Sequence, residues 1–293
     1  MIWTPTKLDR NDLTNILTED FLYERFRLLM INQFKWSGFG DWNIQERHIE
    51  NYLFDNGYCC VFEDPKEGLM CLPCYGEGVN VYGDWVSYNV VGFNYTRNVP
   101  ADKAVLIENN KLRMPTEKAV MHFVTRLYSL LRTMDMNVEQ LKLQAVFTAT
   151  DKNTLTVKKI IDDLNKYNWA LITDNSMSLE DIFKVLPTGV KCLTPELTDR
   201  YNAVMNEALT YFGINNANTD KRERLITDEA NANNQLIDSC AEMFLESRKR
   251  ACEDINKMFG EKFGVNVSVE LRNKKEGLNN APNEPVTKSN TAE

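Results

Sequence analysis

Two long helical patterns, separated by about fifty residues, constrain this chain more than any other feature. The first opens at Pro115 and Thr116. Over residues 117–134 the apolar side chains Ala119, Val120, Phe123, Val124, Leu127, Leu130, Leu131 and Met134 recur at helical spacing, with Glu117, Lys118, His122 and Arg126 elsewhere on the wheel. Continued to Leu141, the pattern gives about 25 residues and roughly 38 Å of helix at about 1.5 Å per residue. A helix of that length can serve as a strut. The second opens at Thr194, Pro195 and Glu196, where an N-cap, a first-turn proline and a carboxylate complementing the dipole coincide, and it stops at Gly213.

The intervening residues read as a compact βαβα insert. Strands are expected at 143–148 and 169–173, a helix at 156–165, and a capping box from Ser178 to Asp181 opening a short helix to Leu186. Upstream, residues 9–30 carry Leu13, Ile16, Leu17, Phe21, Leu28 and Leu29 at helical spacings. An aromatic-rich stretch follows from Phe34 to Trp42. Strand-like runs then cover 58–62, 68–74 and 79–95, with turn signals at Asn56-Gly57 and Gly83-Asp84. This is a helix followed by a small antiparallel sheet.

Downstream, residues 215–235 are dense in Asn and hold two large apolar side chains, Leu225 and Ile226, which predicts a long loop. A third helix is expected from about Leu236 to Phe259, then an alternating edge strand at 265–271 and a polar, flexible tail at 273–293. The fold class is α+β, mainly α. At 293 residues, 43% apolar, the chain has material for about two domains.

The balance of 34 basic against 42 acidic residues, net −8, argues against coating nucleic acid by bulk charge. No apolar run reaches about 18 residues, and residues 1–7 lack a secretory layout, so a chain made and kept in the cytoplasm, with no membrane partner, is expected. Seven scattered cysteines read as reduced thiols.

Cys59, Cys60, Cys71 and Cys74 form the best metal candidate, since four thiolates can surround a tetrahedral zinc. Adjacent Cys59 and Cys60 would point to opposite faces of a strand, which favours small core thiols. The carboxylate pairs Asp162-Asp163, Glu180-Asp181 and Asp228-Glu229 could hold magnesium or do acid–base work, though adjacent carboxylates on helices are usually solvated surface. No glycine-rich phosphate loop, nucleophile elbow or HExxH occurs, so no nucleophile or base is named, and no cofactor or metal is expected. Lys221-Arg-Glu-Arg224 and Arg248-Lys-Arg250 are compact basic clusters, read on a monomer as solvated surface. In a ring, one lysine per chain becomes a circle of positive charge.

The block Tyr211-Phe-Gly-Ile-Asn-Asn-Ala-Asn218, with Lys221 to Arg224, Thr227-Asp-Glu229, Phe244-Leu-Glu-Ser-Arg248, Ala251-Cys-Glu253, Ile255, Asn256 and Gly260, resembles the upper collar proteins of small picovirus-type phages, their head–tail connectors or portals. The resemblance is most specific over 206–266, and over 116–204 mainly the order of elements agrees. It implies a portal-type fold: a wing at 1–113, a first stem helix at 114–142, an α/β clip at 143–193, a second stem helix at 194–213, a tunnel loop at 214–235, a wing or crown helix with its edge strand at 236–272, and the tail.

It also implies a ring of twelve copies at one capsid vertex, conducting double-stranded DNA without sequence specificity during packaging and ejection. The implied partners are major capsid and scaffold proteins, a packaging ATPase and a lower collar or tail protein. By the same resemblance Lys221, Arg222 and Arg224 fall in the tunnel loop, and Lys184, behind Phe183 in the clip's final helix, faces the channel. A further basic position near the second stem helix falls on Lys191 or on the acidic Glu196. Relatives that bind a packaging RNA begin with a basic cluster, whereas residues 1–12 here hold Lys7 and Arg10 alone. The competing readings are a metal-dependent nucleic-acid enzyme built on the cysteines or carboxylate pairs, and an adaptor ring lower in the tail.

Overall fold

The computed structural model describes residues 10–142, 145–147, 155, 183–185, 191–215 and 227–272. The chain divides into two compact units: one combines the stretch up to Leu22 with Phe123–Glu207, the other Tyr23–His122 with the stretch from Ala208 onward. Among the described residues no helix is long and apolar enough to cross a membrane.

The elements in order are α1 (Arg10–Ile31), β1 (Phe34–Ser37), α2 (Glu46–Asn56), β2 (Tyr58–Asp64), β3 (Gly68–Leu72), β4 (Cys74–Val79), β5 (Trp85–Gly92), β6 (Tyr95–Pro100), a short 3-10 turn, β7 (Ala104–Glu108), α3 (Thr116–Lys142), β8 (Ala145–Phe147), β9 (Phe183–Val185), α4 (Thr194–Tyr211), α5 (Thr227–Phe263) and β10 (Ser268–Leu271). The architecture is α+β, mainly α, as the sequence predicts.

The larger unit is built around β2. Its run Cys59-Cys60-Val61-Phe62 is buried without alternation, the signature of a strand covered on both faces. Cys59 and Val61 face a core shared with Ile49 and Leu53 of α2 and with Leu245, Ile255 and Phe259 of α5. Cys60 and Phe62 face a second core with Cys74, Tyr88, Val90 and Val99. β2 lies between β3 and β7, antiparallel to both, and β4, β5 and β6 form a separate antiparallel sheet. Where one small sheet is expected there are two, packed through the even-numbered face of β2.

α2 is absent from the sequence reading, which takes Asn56-Gly57 as a turn signal before the strand-like run at 58–62. Gly57 instead ends this helix in the left-handed region at φ 86°, its N–H donating to the Leu53 carbonyl at 3.0 Å. Ile49, Leu53 and Phe54 make its buried stripe.

Two further corrections concern the second half. Phe183-Lys184-Val185 is a strand, paired antiparallel with Phe147-Val146-Ala145, and not the end of a helix reaching Leu186. The capping box at 178–181 is a local signal, while the pairing partner lies far off in sequence. The boxed residues, like the expected helix at 156–165 and strand at 169–173, lie outside the described residues. The third helix also begins nine residues early, so the loop expected at 215–235 ends before Thr227. Extending an existing helix adds one hydrogen bond per residue fixed without a new nucleus, and this outweighs the weak propensity of the Asn-rich stretch.

In the smaller unit α3 carries Phe123, Val124 and Leu127 buried along one stripe. Arg126 reaches Glu207 of α4 with both terminal guanidinium nitrogens, Nη1 at 3.1 Å and Nη2 at 3.0 Å, and so ties the two strut helices together.

Candidate functional site

Of the residues assigned by sequence to a DNA channel, Lys184 alone is among the described residues. Lys221, Arg222 and Arg224 lie outside the described residues. Lys184 is on β9 opposite Val146. Asp228 and Glu229 stand in the first turn of α5, while the pairs at 162–163 and 180–181 lie outside the described residues. What the geometry displays is how the chain on either side of residues 216–226 is held.

On the upstream side α4 ends in a Schellman motif. The Gly213 N–H donates to the Thr210 carbonyl at 3.0 Å and the Ile214 N–H to the Leu209 carbonyl at 2.8 Å. Gly213 has φ 69°, and a Cβ there would collide with Ala241 of α5, so both conformation and space demand glycine. Phe212 beside it is fully buried against Phe26 of α1, ring centroids 6.0 Å apart, and its carbonyl accepts from the Gln33 side-chain amide at 2.8 Å.

On the downstream side α5 is anchored by Arg248. The sequence reading places this residue in a solvated basic cluster, yet it is 2% exposed. Its Nε donates to Glu50 Oε1 at 2.9 Å and its Nη2 to Glu50 Oε2 at 2.8 Å. The guanidinium also donates to the carbonyl and the side-chain oxygen of Asn109, and its centre lies 4.0 Å from the Phe34 ring centroid. Glu50 in turn accepts from Trp36 Nε1 at 2.8 Å. Asn109 then donates to the Met114 carbonyl and the Thr116 hydroxyl, both at 2.9 Å, where α3 begins. One buried ion pair thus ties α5, α2, β1 and the start of α3. The helical positions of Phe244, Arg248 and Ala251 on one face were a legible signal; the pairing with Glu50 was not.

A second anchor holds the chain just before α4. Asn137, buried on α3, donates to the Lys191 carbonyl at 3.0 Å and accepts from the Leu193 N–H at 3.0 Å. Lys191 itself is exposed, and among the described residues its ammonium has no acidic partner. Glu196 is also exposed, in the first turn of α4, where its charge complements the helix dipole.

The four clustered cysteines do not converge. Cys59 and Cys71 face one core with their sulfurs 3.7 Å apart, while Cys60 and Cys74 face the other. With β2 between the pairs, no single ion can take all four, and the metal-enzyme reading loses its ligands there. Burial pushes the Cys59 thiol well up, and Cys60 is raised first by its hydrogen bond with Cys74 and then by burial. Among the described residues no group of three or more His, Cys, Asp or Glu side chains is placed to hold a metal ion.

Asp64, at the end of β2, joins the two sheets. Its Oδ2 accepts from the Tyr95 hydroxyl at 2.7 Å and from Arg97 at 2.9 Å, and its Oδ1 from the Lys66 and Glu67 amides. These donors, the Tyr95 hydroxyl foremost, hold its carboxyl down at about 2.

The sequence matches the model of one protein family, Phage Connector (GP10), over residues 6–275. This chain belongs to the phage connector family. The connector is accordingly a portal protein of a phage virion, standing at the head–tail junction, in a family whose role is structural. Two solved structures are similar along nearly the whole chain. One is from the portal and tail of native bacteriophage P68, at 15% identity, with a TM-score of 0.48 and 91% of each chain covered. The other is an HK97 family phage portal protein from Corynebacterium diphtheriae, at 10% identity and a TM-score of 0.45, covering 92% of the connector and 96% of that chain.

Proposed function

We propose that the connector forms a ring of about a dozen copies at one capsid vertex and that double-stranded DNA passes through its bore. α3 and α4 are the stem, the stretch between them is the clip, and the residues between Ile214 and Thr227 line the bore with Lys221, Arg222 and Arg224, with Lys184 contributing from the clip. The observation that carries this reading is the family match over residues 6–275, joined to the way both flanks of 216–226 are fastened: a Schellman motif on one side and a helix pinned by a buried ion pair on the other. Such a segment can meet a moving duplex without loosening the fold.

Charge accounts for sliding. Twelve chains at −8 carry about −96 formally, which repels phosphates overall, while sparse basic rings attract them over a screening length of about 8 Å at physiological salt. Movement requires weak holding. Base reading is not needed, because phosphate contacts carry no sequence information. The chain has no phosphate-binding loop, so the packaging energy comes from a separate ATPase. Capsid and scaffold proteins and a lower collar protein are the remaining partners of this reading.

Native mass spectrometry with electron microscopy of the purified protein tests it: rings of about twelve with a central hole are expected, and a zinc-bound monomer would overturn it. Lys221→Ala with Arg222→Ala should leave rings intact and change DNA retention. Loss of assembly in that variant would instead remove the tunnel-loop assignment.

A further inference from the structure

Many of the exposed apolar side chains belong to the β4–β6 sheet, and its β4–β5 tip is both rigid and bare. Val81 is 94% exposed and Tyr82 88%. The tip is nonetheless tightly built. Asn80 Oδ1 accepts from the backbone N–H groups of Tyr82 and Asp84, both at 2.9 Å, the Asn80 N–H donates to the Asp84 carbonyl at 2.8 Å, and the Gly83 N–H donates to the Asn80 carbonyl at 3.0 Å. An apolar pair held out to water by an ordered loop contributes nothing to folding. Presented this way, it binds with little ordering cost.

The same unit carries an open apolar groove of about 360 Å³, lined by Leu112, Met114, Ala119, Tyr211, Met243 and Phe244. Hairpin and groove flank the 109–115 loop. Arg113 turns to the hairpin, stacking on Trp85 at 4.5 Å and lying 3.8 Å from Asp84, whereas its neighbours Leu112 and Met114 line the groove. The charges match as well. The Glu77 carboxylate, on β4 below the tip, accepts from the side-chain amides of Asn89 and Asn98, each at 2.8 Å, and has no cationic partner among the described residues, while Lys118 at the groove rim has no carboxylate partner among them.

We infer that the β4–β5 tip of one copy seats in the groove of the next copy around the ring, with Val81 and Tyr82 against Met114, Tyr211 and Met243, and with Glu77 facing Lys118. The inference rests on the ring reading above. A ring needs head-to-tail contacts, in which one patch meets a different one, and a knob and a groove on the two flanks of one loop supply such a pair.

The experiment uses the full chain carrying Cys192→Ser and Cys240→Ser. Rings in which Tyr82→Cys and Met243→Cys are combined should run, after oxidation with copper phenanthroline, as a ladder of covalent multimers, while either substitution alone gives single chains. In a second variant, Val81→Asp with Tyr82→Asp, the folded chain should melt as the parent does, because both side chains face water, while the ring fraction in native mass spectrometry falls at least tenfold. If the parent makes rings, the double-cysteine chain gives no ladder and the aspartate variant assembles normally, the hairpin contact is overturned and the ring reading stands. A parent chain that remains monomeric overturns the ring reading itself, and the contact with it.

Discussion

The Arg248 guanidinium and the Glu50 carboxylate meet edge to edge, Nε on Oε1 and Nη2 on Oε2, across 198 residues of sequence and with 3% of each side chain exposed. Removing one partner strands a buried charge. Arg248→Ala or Glu50→Ala should therefore cost about 3–5 kcal/mol, whereas replacing both by apolar residues of similar volume should cost far less. Denaturant unfolding of the three variants checks this, and equal losses in single and double variants would refute it.

How much of this was legible follows from such pairs. α3 and α4 are readable because an apolar stripe and its capping residues are local, and the end of α4 at Gly213 could be placed to the residue. The partners of Arg248 lie on elements remote in sequence, and a charged triplet carries no sign that its first member turns inward. The Asn-rich stretch failed for another reason: the first turns of α5 continue a helix stabilised further on. Of the candidate site, the upstream flank was legible as the end of α4 at Gly213, whereas the start of α5 at Thr227 and the residues that fasten both flanks were not.

Asn137 gives a second test. Asn137→Ala removes a donor and an acceptor together and leaves the Lys191 carbonyl and the Leu193 N–H to water, a loss of about 1 kcal/mol. Hydrogen exchange should show the Leu193 amide losing protection well before the amides of α3, and unchanged protection would exclude the clamp.

Asp64 sets a pH dependence. Its carboxyl sits at about 2 in the folded chain and near 3.9 when unfolded, so its contribution is complete above about pH 4 and is lost as pH falls through 2. Asp64→Asn should therefore melt below the parent at pH 7, and the gap should narrow steadily from pH 4 to pH 2. A gap independent of pH would show that the donors do not hold the ionised form.

Thiol chemistry separates the cysteines. Cys192 is exposed and Cys240 half-buried, while Cys59, Cys60, Cys71, Cys74 and Cys252 are buried, Cys252 being pushed up to about 12 by burial. Native protein treated with a thiol reagent at pH 8 should show one fast reaction, abolished by Cys192→Ser, one slower reaction, and five thiols that respond only on unfolding. Rapid labelling at Cys59 or Cys60 would contradict the two-core arrangement around β2.

β1 pairs with β10, Phe34 opposite Leu271 and Ser37 opposite Ser268. A ribosome adding about 5–20 residues per second needs roughly 12–50 s to travel from one strand to the other. Throughout that interval Phe34 and Trp36 wait without their cover, and Glu50 waits for Arg248. A nascent chain is therefore an unfinished subunit until Leu271 has been added. In the proposed ring, recruitment of a copy must wait until β10 has closed against β1.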